Sequence, residues 1–295
     1  MGPLARQLHW QACATVHQSP IGAGIMTIRT IIDQILAYHP DLGSQRTCDV
    51  VIGSNPDVEC TGILISIAPT IEIIRKAIDS GANFIFVHEP TFYSGYDDES
   101  DWLAGNDVYE EKLKWITDHG IVIFRDHDHM HAHKPDAIFH YVFKQLGWSE
   151  YQVPSDRLDY IFRLPETTLG DLARQVKQAL GLDTIRLIGN LDAQVSTVGF
   201  VGHLLPNQES NWSTNDQVIA AGDCDVVIPG EIVEWTLPLY IRDAALLGKN
   251  KGMILPGHFL LEEAGLRWAV EWLRPLVRAD LPITFISVGD LFRYL

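Results

Sequence analysis

The amino-acid sequence predicts an α/β protein with two lobes of similar plan, each built on a mainly parallel sheet. Short apolar runs that are typical of buried strands alternate with segments whose apolar residues recur every three or four positions, as in amphipathic helices. This alternation starts again after residues 148–154. We therefore expect an N-terminal α/β lobe over residues 26–150 and a C-terminal α/β lobe over residues 151–295.

The first predicted elements are a helix and a strand–helix–strand unit. Apolar residues between positions 28 and 36 have the spacing of an amphipathic helix, and Pro40 ends it. Residues 62–87 predict two strands around a helix that Thr70 caps, and a crossover of this kind makes its two strands parallel. The lobe continues with a helix at 107–118, a strand at 121–124 and a helix at 136–147.

The second predicted lobe repeats this order of elements. Its first strand, at 160–162, is followed by a helix that Thr168 caps and Gly181 ends. The remaining predicted strands are at 184–188, 195–201, 225–228, 252–255 and 283–287, and the remaining helices run through Val218, at 232–247 and around 266–273. Because strands and helices alternate, we expect mainly parallel pairing here as well.

The composition is that of a globular, acidic protein. Hydrophobic residues make up 46% of the chain and charged residues 20%, a balance that allows a large core. The net charge of −16 argues against a nucleic-acid partner, because binding to phosphates requires clustered Lys and Arg side chains. No apolar run approaches the roughly 18 residues of a membrane helix, so we expect no membrane partner.

The N-terminal segment and the cysteines bear on where the protein resides. Residues 1–25 lack the basic start and apolar centre of a signal peptide, and they show no clear periodicity. We therefore predict that they are a leader outside the fold or the result of a mis-called start. The four cysteines have no paired spacing, which is typical of reduced thiols. We therefore predict a cytoplasmic protein whose folded part begins at Met26.

Two His/Glu pairs follow predicted buried strands and are the main indication of function. His88 and Glu89 come directly after one apolar run, and His258 and Glu262 follow the run 252–255. Ligands collect at the carboxyl ends of strands in open α/β sheets. His258 and Glu262 are one helical turn apart, whereas the adjacent His88 and Glu89 would diverge toward two different ions. Imidazole and carboxylate without thiolate form the ligand set of hydrolytic divalent-metal sites.

Each of these groups has an ordinary structural explanation when taken alone. His88 and Glu89 could face solvent at a strand end, and Glu262 could lie near the positive end of a helix dipole. Glu231 follows a fourth predicted strand and is either a carboxylate at a helix start or a supporting site residue. The recurrence of such groups at several strand ends favours the metal site.

A further strand end carries a dense run of metal-binding residue types. Residues 126–133 contain four histidines and two aspartates, and His127 and His131 are one helical turn apart. These six side chains cannot all be ligands of one centre, so some would orient the others. The alternative is an adventitious, tag-like metal tract at the surface.

As a set, these motifs resemble the NGG-one-interacting-factor-three-like family of dinuclear-metal proteins, often labelled type 2 homologues of GTP cyclohydrolase I. That family shows a strand ending in His-His-Pro, a His with an Asp four residues later, a Gly-Glu after a late strand, and a C-terminal Gly-His-x-x-x-Glu. The counterparts here are His88-Glu89-Pro90, His127 with His131, Gly230-Glu231, and Gly257-His258 through Glu262. Glu89 replaces a His and His131 replaces an Asp, so three imidazoles and two carboxylates remain.

The resemblance implies two divalent cations between the lobes. Their ligands would be His88, Glu89, His131, His258 and Glu262, with His127 and Glu231 as catalytic or supporting groups. A metal-bridged hydroxide would then make the protein a hydrolase of a small substrate, nucleotide-like or heterocyclic. The alternative is a non-catalytic metal-binding or regulatory interaction protein. The ligand set is compatible with Zn, Mn, Fe, Co or Ni, and the resemblance implies a homohexamer.

Overall fold

The structure is a computed structural model that describes residues 25–97, 101–156, 158, 160–201 and 214–295. The predicted leader, residues 1–25, lies outside the described residues except for Ile25.

The described residues form helices and strands in mixed order. The helices are α1 (Ile28–Tyr38), α2 (Ile71–Ser80), α3 (Asp107–Asp118), α4 (Asp128–Ala132), α5 (Phe139–Leu146), α6 (Leu169–Leu180), α7 (Thr214–Ala220), α8 (Leu237–Leu246), α9 (His258–Leu266) and α10 (Ala269–Leu273). The strands are β1 (Val50–Gly53), β2 (Ile63–Ser66), β3 (Phe84–Val87), β4 (Val122–Arg125), β5 (Gln152–Val153), β6 (Tyr160–Thr168), β7 (Arg186–Ile188), β8 (Gln194–Val201), β9 (Val226–Pro229), β10 (Gly252–Leu255) and β11 (Ile283–Phe285). None of these helices is long and apolar enough to cross a membrane.

The first sheet has the strand order β1-β4-β3-β2-β11. Strands β4, β3, β2 and β11 are parallel, and only β1 pairs antiparallel, at the edge beside β4. All residues of β2, β3 and β4 are buried, as expected for parallel strands covered on both faces. Because β11 comes from the C-terminal end of the chain, this sheet contains strands from both ends of the fold. The predicted lobe boundary near residue 150 therefore stays a prediction.

The second sheet has the order β5-β6-β8-β9-β10-β7 and is mixed. Its centre, β8-β9-β10, is parallel, whereas β5, β6 and β7 pair antiparallel with their neighbours. The protein is therefore an α/β fold with two similar lobes, as predicted, but the second lobe has more antiparallel pairing than the alternation of elements indicates.

The core consists of one large central cluster and two outer ones. The central cluster joins one face of each sheet, for example through Phe86 of β3 and Phe162 of β6, and contains the helices between the sheets. The second cluster covers the other face of the first sheet with α2 and α3. The third covers the other face of the second sheet with α7 and α8. The two lobes thus share one continuous interior.

Local signals in the sequence set several helix ends. Thr70 accepts a hydrogen bond from the amide of Ile73, and Thr168 accepts one from the amide of Asp171, so both predicted caps are confirmed. Gly81 and Gly181 end these helices with left-handed backbone. The edge strand β1 was not predicted, because its residues are only half-buried or exposed and give no buried run.

Candidate metal centre

The site lies at the carboxyl ends of parallel strands, where elements of the two lobes meet. His88 follows β3, and His127 follows β4 in the neighbouring position of the same sheet. In the other sheet, Glu231 follows β9, and His258 begins α9 just beyond β10. The topology therefore brings together groups that are far apart in the sequence.

Three imidazoles form one side of the site, which we call the imidazole side: His88, His127 and His131. The rings of His88 and His127 are stacked, with centroids 4.4 Å apart, and the ring of His131 stands edge-on to both at 4.9 and 4.8 Å. Each ring offers a nitrogen within 4.8 Å of the others, so the three could hold one metal ion. The predicted one-turn spacing of His127 and His131 is confirmed, because the amide of His131 donates to the carbonyl of His127.

The outward-facing nitrogens of two of these rings are held by neighbouring oxygens. His88 Nδ1 lies 3.0 Å from the carbonyl oxygen of Asp126. His131 Nδ1 lies 2.9 Å from Asp136 Oδ2, which also accepts a 3.0 Å hydrogen bond from the Tyr160 hydroxyl. A proton on Nδ1 leaves Nε2 of each ring as the lone-pair donor, which is the tautomer that a metal-binding histidine needs.

Three carboxylates surround the fourth histidine and form what we call the carboxylate side: Glu89, Glu231 and Glu262 around His258. His258 Nε2 lies 2.8 Å from Glu262 Oε2 and 2.8 Å from Glu89 Oε1. The other ring nitrogen, Nδ1, lies 2.8 Å from Glu231 Oε1. As predicted, His258 and Glu262 share one face of a single helical turn of α9.

One oxygen connects the two sides. Glu262 Oε2, which is 2.8 Å from His258 Nε2, is also 3.4 Å from His88 Nε2. The side chains of His88 and Glu262 are fully buried. All seven residues predicted from the sequence therefore lie in this cluster, and their individual roles stay predictions.

The pKa values of His127 and His258 are shifted in opposite directions. Burial lowers the pKa of His127, and the neighbouring His88 and His131 lower it further, so this imidazole is neutral. For His258, burial acts to lower the pKa, but Glu262 and Glu89 outweigh burial and hold it well above its usual value. Burial would raise the pKa of Glu89, yet the charge of His258 lowers it to about 2.

The donor set fits divalent metal ions. His88 Nε2 is buried and, among the described residues, has no hydrogen-bond partner, although it points at the centre of the site. His88, Glu89 and Glu262 offer atoms within 4.8 Å of one another and could hold a second ion beside the three imidazoles. Nitrogen and oxygen donors without thiolate suit Zn, Mn, Fe, Co or Ni.

Comparison with known proteins agrees with the motifs. The family model for Duf34/NIF3 (NGG1p interacting factor 3) matches residues 26–290. The chain belongs to this family. The predicted resemblance is therefore confirmed, and groups able to bind metal are present in this NIF3 family member. No curated protein matches the sequence significantly.

Solved structures with the same fold are distant in sequence. Staphylococcus aureus hypothetical protein SA1388 has a TM-score of 0.68 and 17% identity, covering 92% of this chain and 100% of its own. A Bacillus cereus protein related to NIF3 has a TM-score of 0.68 and 16% identity, covering 92% and 100%. Reduced HcgD from Methanocaldococcus jannaschii has a TM-score of 0.63 and 18% identity, covering 88% and 97%. At these identities the likeness establishes the NIF3 fold alone.

Two supporting residues of this NIF3 family member were not predicted. Asp136 orients His131 from five residues further along the chain, a spacing that signals nothing in the sequence. Arg125, at the end of β4, donates to the carbonyl of His88 and lies 3.9 Å from Glu89 Oε2. For Arg125, the available signal in the sequence was an arginine at the end of an apolar run, directly before the dense run. Arg125 is buried, and a buried cation requires anionic partners.

A pocket opens beside the carboxylate side. It has a volume of about 210 Å³ and is lined by His258, by apolar and aromatic side chains that include Phe259, Phe292 and Tyr294, and by Arg186. Residues 289–292 and Tyr294, near the C-terminal end of the chain, supply one wall. Of the seven predicted site residues, His258 is the one that lines this small, mostly apolar pocket.

Proposed function

We propose that the protein is a cytoplasmic, metal-dependent hydrolase with two divalent cations. The observation that carries this proposal is one cluster of four imidazoles and three carboxylates whose two sides are connected by Glu262 Oε2, with a pocket beside His258. The described cysteines Cys48, Cys60 and Cys224 are free, in keeping with a reducing compartment. The proposed ligands are His88, Glu89, His131, His258 and Glu262.

The protein side chains would share the work of holding the cations and moving protons. Divalent cations in such a site polarise a substrate bond and lower the pKa of water. His131, oriented by Asp136, is the natural ligand of the imidazole side. His127 is held neutral by burial and by the adjacent rings, so its proposed role is that of a neutral supporting imidazole that carries a proton only transiently.

Glu231 is the proposed acid/base group on the open side of the centre. Its side chain is 35% exposed, whereas those of Glu89 and Glu262 are 8% and 0% exposed. Glu231 contacts His258 Nδ1, the nitrogen that faces away from Glu262. A partly exposed carboxylate at this position can exchange protons with solvent during turnover.

The pocket supports a small substrate that combines a planar ring with a negative charge. Phe259, Phe292 and Tyr294 offer apolar surface to a ring, and Arg186 offers a guanidinium group to an anion. These groups are consistent with a nucleotide-like or heterocyclic substrate. The pocket also favours catalysis over a purely structural role, because a structural metal centre is closed to small molecules.

Activity measurements on metal-loaded protein test this proposal. We would assay a panel of phosphoesters, nucleotides and cyclic amides with wild type and with Glu231→Gln, using Glu234→Gln, an exposed carboxylate three residues away, as the matched control. We expect turnover of at least one compound, a loss of about 10²- to 10⁴-fold for Glu231→Gln with its metal content retained, and wild-type turnover for the control.

Two outcomes would overturn the enzyme proposal. Fully metal-loaded protein that turns over no member of the panel would point to the non-catalytic metal-binding alternative. Equal turnover by wild type and Glu231→Gln would remove the acid/base role from Glu231. Metal analysis of each sample distinguishes an inactive centre from an empty one.

We also infer that the protein forms a homo-oligomer, a homohexamer being the state that its family resemblance implies. Large apolar side chains are exposed on and around α8, which is typical of a surface buried by another chain: Trp235, Leu239, Tyr240, Leu246 and Leu247. Leu246→Glu should lower the molar mass measured by light scattering. The control Val108→Glu, at an exposed apolar position on α3, should leave it unchanged.

A further inference from the structure

Two carboxylates that are not among the predicted ligands lie opposite each other at the end of an antiparallel strand pair. In the pairing of β1 with β4, Val50 lies opposite Arg125. The same register, continued by one residue, places Asp49, just before β1, opposite Asp126, just after β4. Like charges in directly opposed positions repel each other, and the repulsion is strongest where water is excluded. This arrangement therefore requires a compensating positive charge.

Both of these carboxylates are buried, and one has no hydrogen-bond donor. The side chains of Asp49 and Asp126 are 4% and 0% exposed. Neither oxygen of Asp126 has a hydrogen-bond partner among the described residues, although His39 Nε2 lies 3.1 Å from Oδ2. A buried, unsatisfied carboxylate is costly, so it is typically paired or bound to a cation.

A histidine from the dense run completes the group. His129, in the first turn of α4, has its Nδ1 2.6 Å from Asp49 Oδ2. Asp49, Asp126 and His129 each offer a ligand atom within 4.8 Å of the other two. Two carboxylate oxygens and one imidazole nitrogen are donors that Mn²⁺, Fe²⁺ and Zn²⁺ accept.

We propose that Asp49, Asp126 and His129 bind an additional divalent cation, distinct from those between His88 and His258. None of the three is among the seven residues of the proposed hydrolytic centre. His39, whose side chain is fully buried against Asp126, is a positioning residue for that carboxylate. The site also explains why the 126–133 run has more metal-binding side chains than one centre can use.

The cation would stabilise the part of the chain that presents His127. Asp49 Oδ1 accepts hydrogen bonds from the amides of His127 and Asp128, and the carbonyl of Asp126 contacts His88 Nδ1. A cation that fixes Asp49 and Asp126 therefore also fixes the backbone on which the imidazole side is built. Its role is that of a structural ion beside the hydrolytic centre.

Metal stoichiometry tests the proposal without any activity measurement. Metal-free full-length protein would be loaded with Mn²⁺, freed of excess metal and analysed for bound Mn²⁺ by elemental analysis and electron paramagnetic resonance. We expect Asp126→Asn and His129→Gln each to bind one equivalent fewer than wild type. The matched control is His133→Gln, a histidine of the same run that contacts the carbonyl of Pro135, and it should bind as many equivalents as wild type.

Thermal unfolding separates the proposal from a simple pairing of protonated histidines with aspartates. Asp126→Asn keeps the side-chain shape and removes the repulsion between two opposed carboxylates, so the metal-free variant should be at least as stable as wild type and should lose part of the rise in Tm that Mn²⁺ produces. His129→Gln, at a partly exposed side chain, gives the same readout if Asp126→Asn fails to fold.

The outcomes distinguish this site from the hydrolytic centre. In a Glu262→Gln background, the Asp126-dependent equivalent of Mn²⁺ should persist. Equal Mn²⁺ content in wild type, Asp126→Asn and His129→Gln would overturn the additional site and leave the hydrolytic centre untouched. Loss of the same equivalent in His133→Gln would also overturn it, since binding would then belong to the histidine-rich run as a whole.

Discussion

The imidazole side and the carboxylate side of the centre have opposite electrostatic characters. His88, His127 and His131 crowd three imidazoles into a buried space, and the pKa of His127 falls well below its usual value. On the carboxylate side, Glu262, Glu89 and Glu231 surround His258, and its pKa rises well above its usual value. Protonation of His127 is therefore disfavoured, whereas protonation of His258 is favoured.

This difference indicates how the two sides depend on each other. A cluster of imidazoles supplies nitrogen donors to a metal ion, and a cluster of carboxylates supplies negative charge that must be compensated. In the metal-free protein the proton on His258 provides part of that compensation. Cations placed between the sides would satisfy both, because they accept the imidazole lone pairs and neutralise the carboxylates.

The largest expected effect comes from removing the charge of the carboxylate that connects the two sides. Glu262→Gln removes the charge of the carboxylate whose Oε2 lies near both His88 and His258. We expect metal affinity, measured by isothermal titration calorimetry, to fall by at least about 100-fold, because a direct ligand contributes more than a supporting one.

The matched control for this change is the next residue. Glu263 is also buried, but its carboxylate accepts hydrogen bonds from the Ser287 hydroxyl and the Val288 amide. Glu263→Gln should lower the free energy of unfolding and leave metal affinity within about threefold of wild type. If the two variants bound metal equally well, Glu262 would not be a ligand.

A smaller effect should follow when the imidazole side is loosened without touching a proposed ligand. Asp136→Asn weakens the contact that fixes His131 Nδ1, so the ring loses its preferred tautomer and orientation. We expect a loss of about 10- to 100-fold in metal affinity by the same titration. Tyr160→Phe removes only the hydroxyl that donates to Asp136 and should fall between Asp136→Asn and wild type.

The carboxylate side should also make the metal-free protein sensitive to pH. Because the pKa of His258 is raised in the folded state, its contribution to stability is fully present below its unfolded pKa near 6.5 and is lost as pH rises through the folded pKa. With chelator present, we expect Tm to fall on the order of 2–4 °C as pH rises through that range.

Metal-loaded protein should show the opposite trend. Metal binding requires a deprotonated His258, so metal affinity should increase with pH over the same range. His258→Gln should abolish the decline of Tm in chelator. If Tm of wild type and of His258→Gln depended on pH in the same way without metal, His258 would not carry the proton assigned to it.

The sequence predicted the parts of the centre that depend on short spacings. His258 and Glu262 lie one turn apart on α9, and His127 and His131 are similarly related, so helical geometry alone brings each pair together. The position of His88 at a buried strand end was equally local. These features need no knowledge of the tertiary structure.

The contact of Asp49 with the dense run could not be predicted, because tertiary pairing of strands creates it. Asp49 reaches His129 only through the antiparallel pairing of β1 with β4, and β1 has no buried run in its sequence. The mixed character of the second sheet was missed for a related reason. Helical crossovers favour parallel strands, yet β7 pairs antiparallel with β10, and β6 pairs antiparallel with β8, on either side of the parallel centre.

The smallest expected effect tests whether the three carboxylates of the carboxylate side contribute equally to metal affinity. Glu231 is the most exposed of its three carboxylates and contacts the outward nitrogen of His258. Because solvent screens a partly exposed charge, Glu231→Gln should lower metal affinity less than tenfold and shift the pH profile of metal-free Tm only slightly. Metal affinity by calorimetry and Tm by thermal unfolding would be measured for Glu231→Gln and Glu262→Gln side by side. An equally large loss in both variants would mean that the carboxylates form one undivided ligand shell and that Glu231 binds metal directly.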